Sequence, residues 1–309
     1  MTKRQKAEAL AAGFFALGFA GLLFFFPGVG ADSVSRSLAL CAGSIVPSLF
    51  LFAALSQILV KSGLFSHLDA VARPLGLSSG GLTVVLVGLL CGFPMGAAAA
   101  GTLFRDGKIS RREAHEVLPI CGNAGMAFVV GTVGESFWGS RAFGVRLFLL
   151  QTGLSLLWLL VGAPTRRRNH PLPSETAEKA ESPISLLVAS VSGAGGAMVT
   201  VASFLLFFGA AADYLLFFSQ PFLPAALCPV ICSLLELGRG CAEFAACRNG
   251  APLFGMLGTA WSVGFSGLSV IFQNLDRAGT ARPAFFAFLI KRVMFGLVLA
   301  FLLFLSEIG

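Results

Sequence analysis

The residues with chemistry to offer are few, and they interrupt apolar stretches. Glu236 and Arg239 stand three apart in Glu236-Leu237-Gly238-Arg239-Gly240, deep in an apolar run. An ionisable group there is costly and faces a cavity or a partner. Arginine fits a carboxylate through two parallel hydrogen bonds, so two roles stand open. Either Arg239 contacts an anionic solute, or Arg239 and Glu236 neutralise one another and hold the segment shut. Asn123, in Cys121-Gly122-Asn123-Ala124-Gly125, can offer its amide oxygen to a cation or solute. Ser266 and Ser269, in Phe265-Ser266-Gly267-Leu268-Ser269, are the mirrored polar groups, and a helix-to-helix hydrogen bond is the plainer use of all three. A fourth interruption, Cys91-Gly92-Phe93-Pro94-Met95-Gly96, carries no charge. It combines Gly, which permits unusual dihedrals, with Pro, which removes a donor and stops a helix.

This set does not make an enzyme, because no Ser/His pair, H-E-x-x-H or paired-Asp motif is present. Glu113, His115 and Glu116 place a His between two Glu, which reads as a solvated helix start rather than a metal site. The other histidines, His67 and His170, fall in expected loops, against an imidazole ligand set. Seven cysteines, odd in number and nearly all in apolar stretches, argue against a disulfide framework and lack zinc-site pairing. No cofactor or resident metal is expected. Without a P-loop, transport would draw on a gradient, with Na+ or H+ as a possible coupling ion.

The elements that must position these groups are membrane helices. A chain of 309 residues that is 56% hydrophobic and 12% charged, with 31 Phe against one Tyr, is a polytopic membrane protein with the lipid bilayer as its solvent. Apolar runs near 20 residues match a hydrocarbon core of about 30 Å. Candidates are 9–29, 38–60, 82–104, 113–135, 142–163, 184–218, 222–246, 252–274 and 284–305. The first lacks a cleavage pattern and reads as a retained signal anchor. The net charge of +7 sits in loops, where it orients the chain and does not mark a nucleic-acid partner.

Treating every run as a full span puts Arg105, Lys108, Arg111 and Arg112 on the side of poorly basic loops, against the positive-inside rule. The conflict vanishes if 82–104 enters, turns at Gly92-Phe93-Pro94 and returns. The basic loops at 61–81, 105–112, 164–183 and 275–283 then fall inside with the N-terminus. The second half repeats this order. Cys91 to Cys121 and Glu236 to Ser266 are both 30 residues apart, and Val46-Pro47-Ser48-Leu49-Phe50-Leu51-Phe52 resembles Val201-Ala202-Ser203-Phe204-Leu205-Leu206-Phe207. Seven full spans and two hairpins give the halves opposite orientation, as in secondary transporters.

The expected fold is therefore all-α, with two inverted-topology repeats, each holding a re-entrant helical hairpin and a broken transmembrane helix. Its parts are an anchor (1–37), a first repeat (38–163), a cytoplasmic linker (164–183) and a second repeat (184–309). A short interfacial helix at 184–192 is expected before a break at Gly193, Gly195 and Gly196. Half-helices point polar ends at a shared midplane site. Its expected lining is Gly92, Phe93, Pro94, Met95, Gly96, Gly122, Asn123, Ala124, Gly125, Glu236, Gly238, Arg239, Gly240, Phe265, Ser266, Gly267 and Ser269. Arg146, Lys291 and Arg292 could line an anion path, with snorkelling to the interface as their ordinary behaviour.

Ser44-Ile45-Val46-Pro47-Ser48-Leu49-Phe50, Gly92-Phe93-Pro94-Met95-Gly96-Ala97, the Arg105 to Arg112 loop and Cys121-Gly122-Asn123-Ala124-Gly125 resemble the sporulation integral membrane protein family of YlbJ type. More distantly, roughly 40–305 is similar to the nucleoside-recognition "Gate" domain of concentrative nucleoside transporters, spore maturation proteins and ferrous iron transporters. Gly92-Phe93-Pro94 stands where the family has Gly-Tyr-Pro. The resemblance implies movement of dipicolinic acid, a small aromatic dicarboxylate, across the outer forespore membrane during sporulation. Arg239 would then meet carboxylates, and Phe93 or Phe265 would stack on the ring. A nucleoside or metal-ion carrier, or a non-transporting spore-envelope protein, are the alternatives; a homo-oligomer is possible.

Overall fold

The computed structural model describes residues 3–64, 68–169 and 182–308, and these are helical with no strand among them. Helix α1 (Lys3–Phe25) ends at Phe26, because Pro27 cannot continue a helix yet suits the first turn of the next. Helix α2 (Pro27–Lys61) then runs 35 residues through a π-helical turn at Cys41–Ile45. The boundary expected at 37/38 thus lies inside one helix, and the chain breaks at Phe26 instead.

Helices α3 (Ser79–Cys91) and α4 (Met95–Arg105) fold back on one another. Gly88 and Gly96 make the close approach, for a Cβ on Gly96 would lie 2.8 Å from the Gly88 Cα. Helix α5 (Arg111–Cys121) stops at an irregular stretch, and the chain resumes as the π-helical α6 (Ala127–Phe137). Helix α7 (Arg141–Asn169) absorbs the start of the expected linker. Buried Arg166 donates to the Leu75 carbonyl at 3.0 Å, so it docks on the chain. Residues 170–181 of that linker, with His170, lie outside the described residues, as does His67.

Helix α8 (Pro183–Ser219) is 37 residues long and unbroken, which corrects the expected interfacial helix and glycine break. Gly193 instead makes room for the Gln57 side chain of α2, and glycine serves such contacts in apolar helices. Gly30 meets Tyr214 and Gly209 meets Ser37, so α2 and α8 run antiparallel. Helices α9 (Leu227–Leu235) and α10 (Leu237–Ala246) fold back at Glu236, where a Cβ on Gly240 would lie 2.3 Å from the Ser233 Cα. Helix α11 (Pro252–Phe265) breaks at Ser266, α12 (Gly267–Ala278) follows, and α13 (Phe285–Ile308) closes the chain.

Each half thus carries a long helix, a folded-back pair, a broken pair and a closing helix, in that order. Among the described residues five helices can cross a membrane by length and composition: Pro27–Lys61, Arg141–Arg166, Pro183–Ser219, Pro252–Ala281 and Phe285–Ile308. Phe15, Leu157, Val161, Val199 and Phe286 stand bare on outward faces, a surface suited to lipid.

Candidate functional site

The four interruptions meet. At the first tip Gly92 has φ +76°, a conformation favouring glycine, and a Cβ there would lie 2.2 Å from the Gly125 nitrogen. The Phe93 N–H donates to the Asn123 carbonyl at 2.7 Å, joining the first tip to the first break. Gly267 of the second break sits against the second tip, where its Cβ would come 3.0 Å from the Leu237 nitrogen. Phe93 from the first tip and Glu236 and Gly238 from the second line one narrow, partly open cavity of about 20 Å³.

Arg292 ties the two breaks together. Expected to snorkel, it is fully buried instead, because α13 crosses α11 closely at Gly264 and Gly296 and carries it inward. Its guanidinium donates to the Pro119 carbonyl at 3.1 Å, the Asn123 Oδ1 at 3.2 Å and the Ser266 Oγ at 2.7 Å. The group also lies over the Phe295 ring, 4.9 Å from its centroid. Among the described residues no carboxylate pairs with it, and its Nε has no hydrogen-bond partner. The lone charge costs several kcal/mol before its hydrogen bonds offset it. Nothing in the spacing marked Arg292, since Arg146 and Lys291 occupy equally plausible places; Arg146 pairs with Glu307 and stays half-exposed.

Asn123 is fully engaged. Its Nδ2 donates to Ser155 Oγ at 2.5 Å, and Gln151 supports the neighbouring turn by donating to the Ala124 carbonyl at 2.9 Å. The plainer reading of Asn123, helix joining helix, is therefore the one observed. Ser266 adopts φ +77° and spends its hydroxyl on Arg292 and the Val263 carbonyl. Ser269 is buried with its Oγ unpartnered. Phe265 cannot meet a ring from outside, being buried and stacked on Trp261 at 5.1 Å. Phe93 remains at the cavity with Phe128 beside it.

Glu236 and Arg239 do not neutralise one another through their side chains. The Glu236 carboxylate caps α10, accepting the Gly238 N–H at 3.0 Å and the Arg239 N–H at 2.6 Å. The Arg239 guanidinium turns to Asp213, two nitrogens on two oxygens at 2.6 Å each. Arg36 reaches the same carboxylate at 2.9 Å. Asp213 was legible, being the one charged residue in 183–219, and it sits where Pro27–Lys61 and Pro183–Ser219 pack antiparallel. Glu113 also departs from expectation. It is buried, accepting the Ser78 N–H at 2.7 Å and the Ser78 hydroxyl, and so anchors the start of α3. His115 belongs to α5, with Nε2 3.1 Å from the Arg282 carbonyl.

A second hollow, about 350 Å³ and half open, lies at the end of the bundle that carries Lys61. Its wall includes Ser56, Gln57, Thr102, Arg105, Asp276 and Arg277, and it reaches Met95 beside the first tip. Three cations thus face one carboxylate. Arg277 is held there by the Gly196 carbonyl at 2.7 Å and by Thr200 Oγ1.

No family model, curated protein or solved structure matches this chain.

Proposed function

We propose that this chain is a secondary carrier of a small organic anion in a bacterial membrane, with dipicolinate or a related carboxylate as the solute. The observation that carries the reading is Arg292, a buried positive charge with no carboxylate partner where two broken helices meet. Such a charge makes the interior favour anions. The basic hollow supports it, offering an entrance whose volume falls in the range of small-molecule sites. In this reading the halves are inverted repeats, the folded-back pairs are re-entrant hairpins, and the Lys61 end faces the cytoplasm with the N-terminus. The family resemblance would put the membrane at the outer forespore face.

The arrangement suits a carrier caught between exposures. The hollow opens to one side, the centre narrows to about 20 Å³, and the Arg36–Asp213–Arg239 cluster holds the other end. An aromatic dicarboxylate needs the tips to part before it can pass Phe93. So narrow a centre also suits a non-transporting envelope protein whose breaks serve packing alone. Purified protein in liposomes, tested with labelled dipicolinate, uridine and manganese under imposed sodium or proton gradients, separates the readings. Dipicolinate should accumulate above protein-free vesicles, and Arg292→Lys, which cannot reach Asn123 and Ser266 together, should slow it at least about tenfold. Equal background for all three solutes would favour the packing role.

A further inference from the structure

The half-open hollow at the Lys61 end holds more positive charge than the chain itself answers. Lys61, Arg105 and Arg277 stand in its wall with one carboxylate, Asp276. Among the described residues none of the three cations forms an ion pair, with Asp276 or with any other acid. The wall therefore keeps a net of two positive charges. Thr102 and Thr280 add hydroxyls to it. Of the Arg277 guanidinium only Nη2 is engaged, and Nε has no partner.

The hollow lies near headgroup depth. On α8 the Gly196 carbonyl that holds Arg277 and the Asp213 carboxylate at the opposite end are seventeen residues apart, about 26 Å of helix. A hydrocarbon core is about 30 Å thick, so one charged level falls near each interface. Arg277 also stands at the seam between the hollow and an uncovered face of α8. It reaches Gly196 and Thr200 there; Gly196 is exposed, and a Cβ on Gly195 or Gly196 would meet nothing within 4 Å. Val199 beside them is 67% exposed. A guanidinium at such a seam is costly against acyl chains and favourable against an anion. A soluble anion makes no use of the uncovered face, whereas an acyl chain covers it.

We propose that the hollow binds the phosphate of an anionic phospholipid on Arg277, Arg105 and Lys61, with an acyl chain along α8 at Gly195, Gly196 and Val199. Charge complementarity selects the lipid, because a zwitterionic headgroup brings its own cation to a wall that already has three. Arginine meets phosphate oxygens through its planar fork, and Lys61 adds a point charge. Since α2, α4, α8 and α12 all contribute to the wall, a bound lipid ties four helices together at that end. The binding does not rest on the carrier reading. One consequence does: in a carrier the lipid occupies the entrance, so lipid and solute exclude one another.

The test uses the full chain, delipidated in a neutral detergent, with thermal unfolding followed as phosphatidylglycerol or phosphatidylcholine of the same acyl chains is added. Phosphatidylglycerol should raise the melting temperature saturably, as a ligand of the native state does, and phosphatidylcholine should not. Arg277→Gln with Arg105→Gln removes both surplus charges and should raise the half-saturating lipid concentration at least tenfold. Thr280→Glu adds a carboxylate at an exposed place in the wall and should weaken binding likewise, which keeps the test open if the double variant does not fold. Arg73→Gln removes a charge from the connection after α2, outside the wall, and should change the concentration less than twofold. Equal responses to the two lipids, or an Arg73→Gln effect as large as that of the double variant, would overturn the proposal. Soluble glycerol phosphate giving the same shift at the same concentration would overturn it too, in favour of a free anion. Failure of the carrier reading shows elsewhere, as liposomes that take up no dipicolinate while the phosphatidylglycerol stabilisation persists.

Discussion

At the first tip the chain is docked by backbone and shape alone; at the second, where Gly267 also lies close on the Leu237 backbone, charge is added. Gly92 lies flat on Gly125, and one hydrogen bond from Phe93 to the Asn123 carbonyl completes the contact. The second tip has Glu236 capping its own arm and Arg239 forked onto Asp213, with Arg36 on the same carboxylate. Close-packed backbone tolerates almost no displacement. An ion pair with a partly exposed arginine opens more gradually, because water can take over as the charges separate.

The contrast can be broken hardest at Gly92. Gly92→Ala adds both a left-handed strain and a clash with backbone, together about 3 kcal/mol or more. It should abolish the monodisperse peak in size-exclusion chromatography or lower the melting temperature sharply at any ionic strength. A melting temperature within a degree of wild type would show that the first tip is not docked on Gly125.

Asp213→Asn should come next. It leaves the Arg239 fork facing a neutral amide, at a cost of about 2 kcal/mol. A double-mutant cycle with Arg239→Gln should return a coupling of about 1 to 3 kcal/mol, while Asp213→Asn with Phe93→Leu should be additive. In liposomes Asp213→Asn should also leak dipicolinate faster than wild type, as an unlatched gate would. Coupling to Phe93 as large as to Arg239 would erase the distinction between the tips.

Arg36→Gln should do least. The Arg36 side chain is 56% exposed, and exposed pairs contribute less than about 1 kcal/mol. The shift in melting temperature should be small and should vanish as salt is raised from low concentration to about 1 M, where screening acts within about 3 Å. A salt-independent loss would mean that Arg36 packs rather than pairs.

Much of this molecule was legible because lipid leaves a chain few choices. Interrupted apolar runs, Gly-Phe-Pro at 92–94 and the acid and base at 236 and 239 located these four breaks within a residue or two. The glycines at 193, 195 and 196 misled, since glycine marks a break and a close helix contact with the same letter. Glu113 looked solvated because its partner, Ser78, is 35 residues away. The two arginines illustrate the same limit from opposite sides. Arg239 stood out locally yet spends its fork on Asp213, 26 residues back, while Arg292 was inconspicuous yet ties both breaks.

Backbone hydrogen bonding, apolar run length and proline chemistry are properties of short stretches, so the residue order alone determined that this chain is helical and apolar enough for a membrane, and where four of its helices are interrupted. Which side chain answers which charge depends on helices far apart in the chain crossing at glycines a few ångströms apart. Only tertiary packing decided that Arg292 is buried without a carboxylate, that Asp213 takes Arg239, and that Lys61, Arg105 and Arg277 share one hollow.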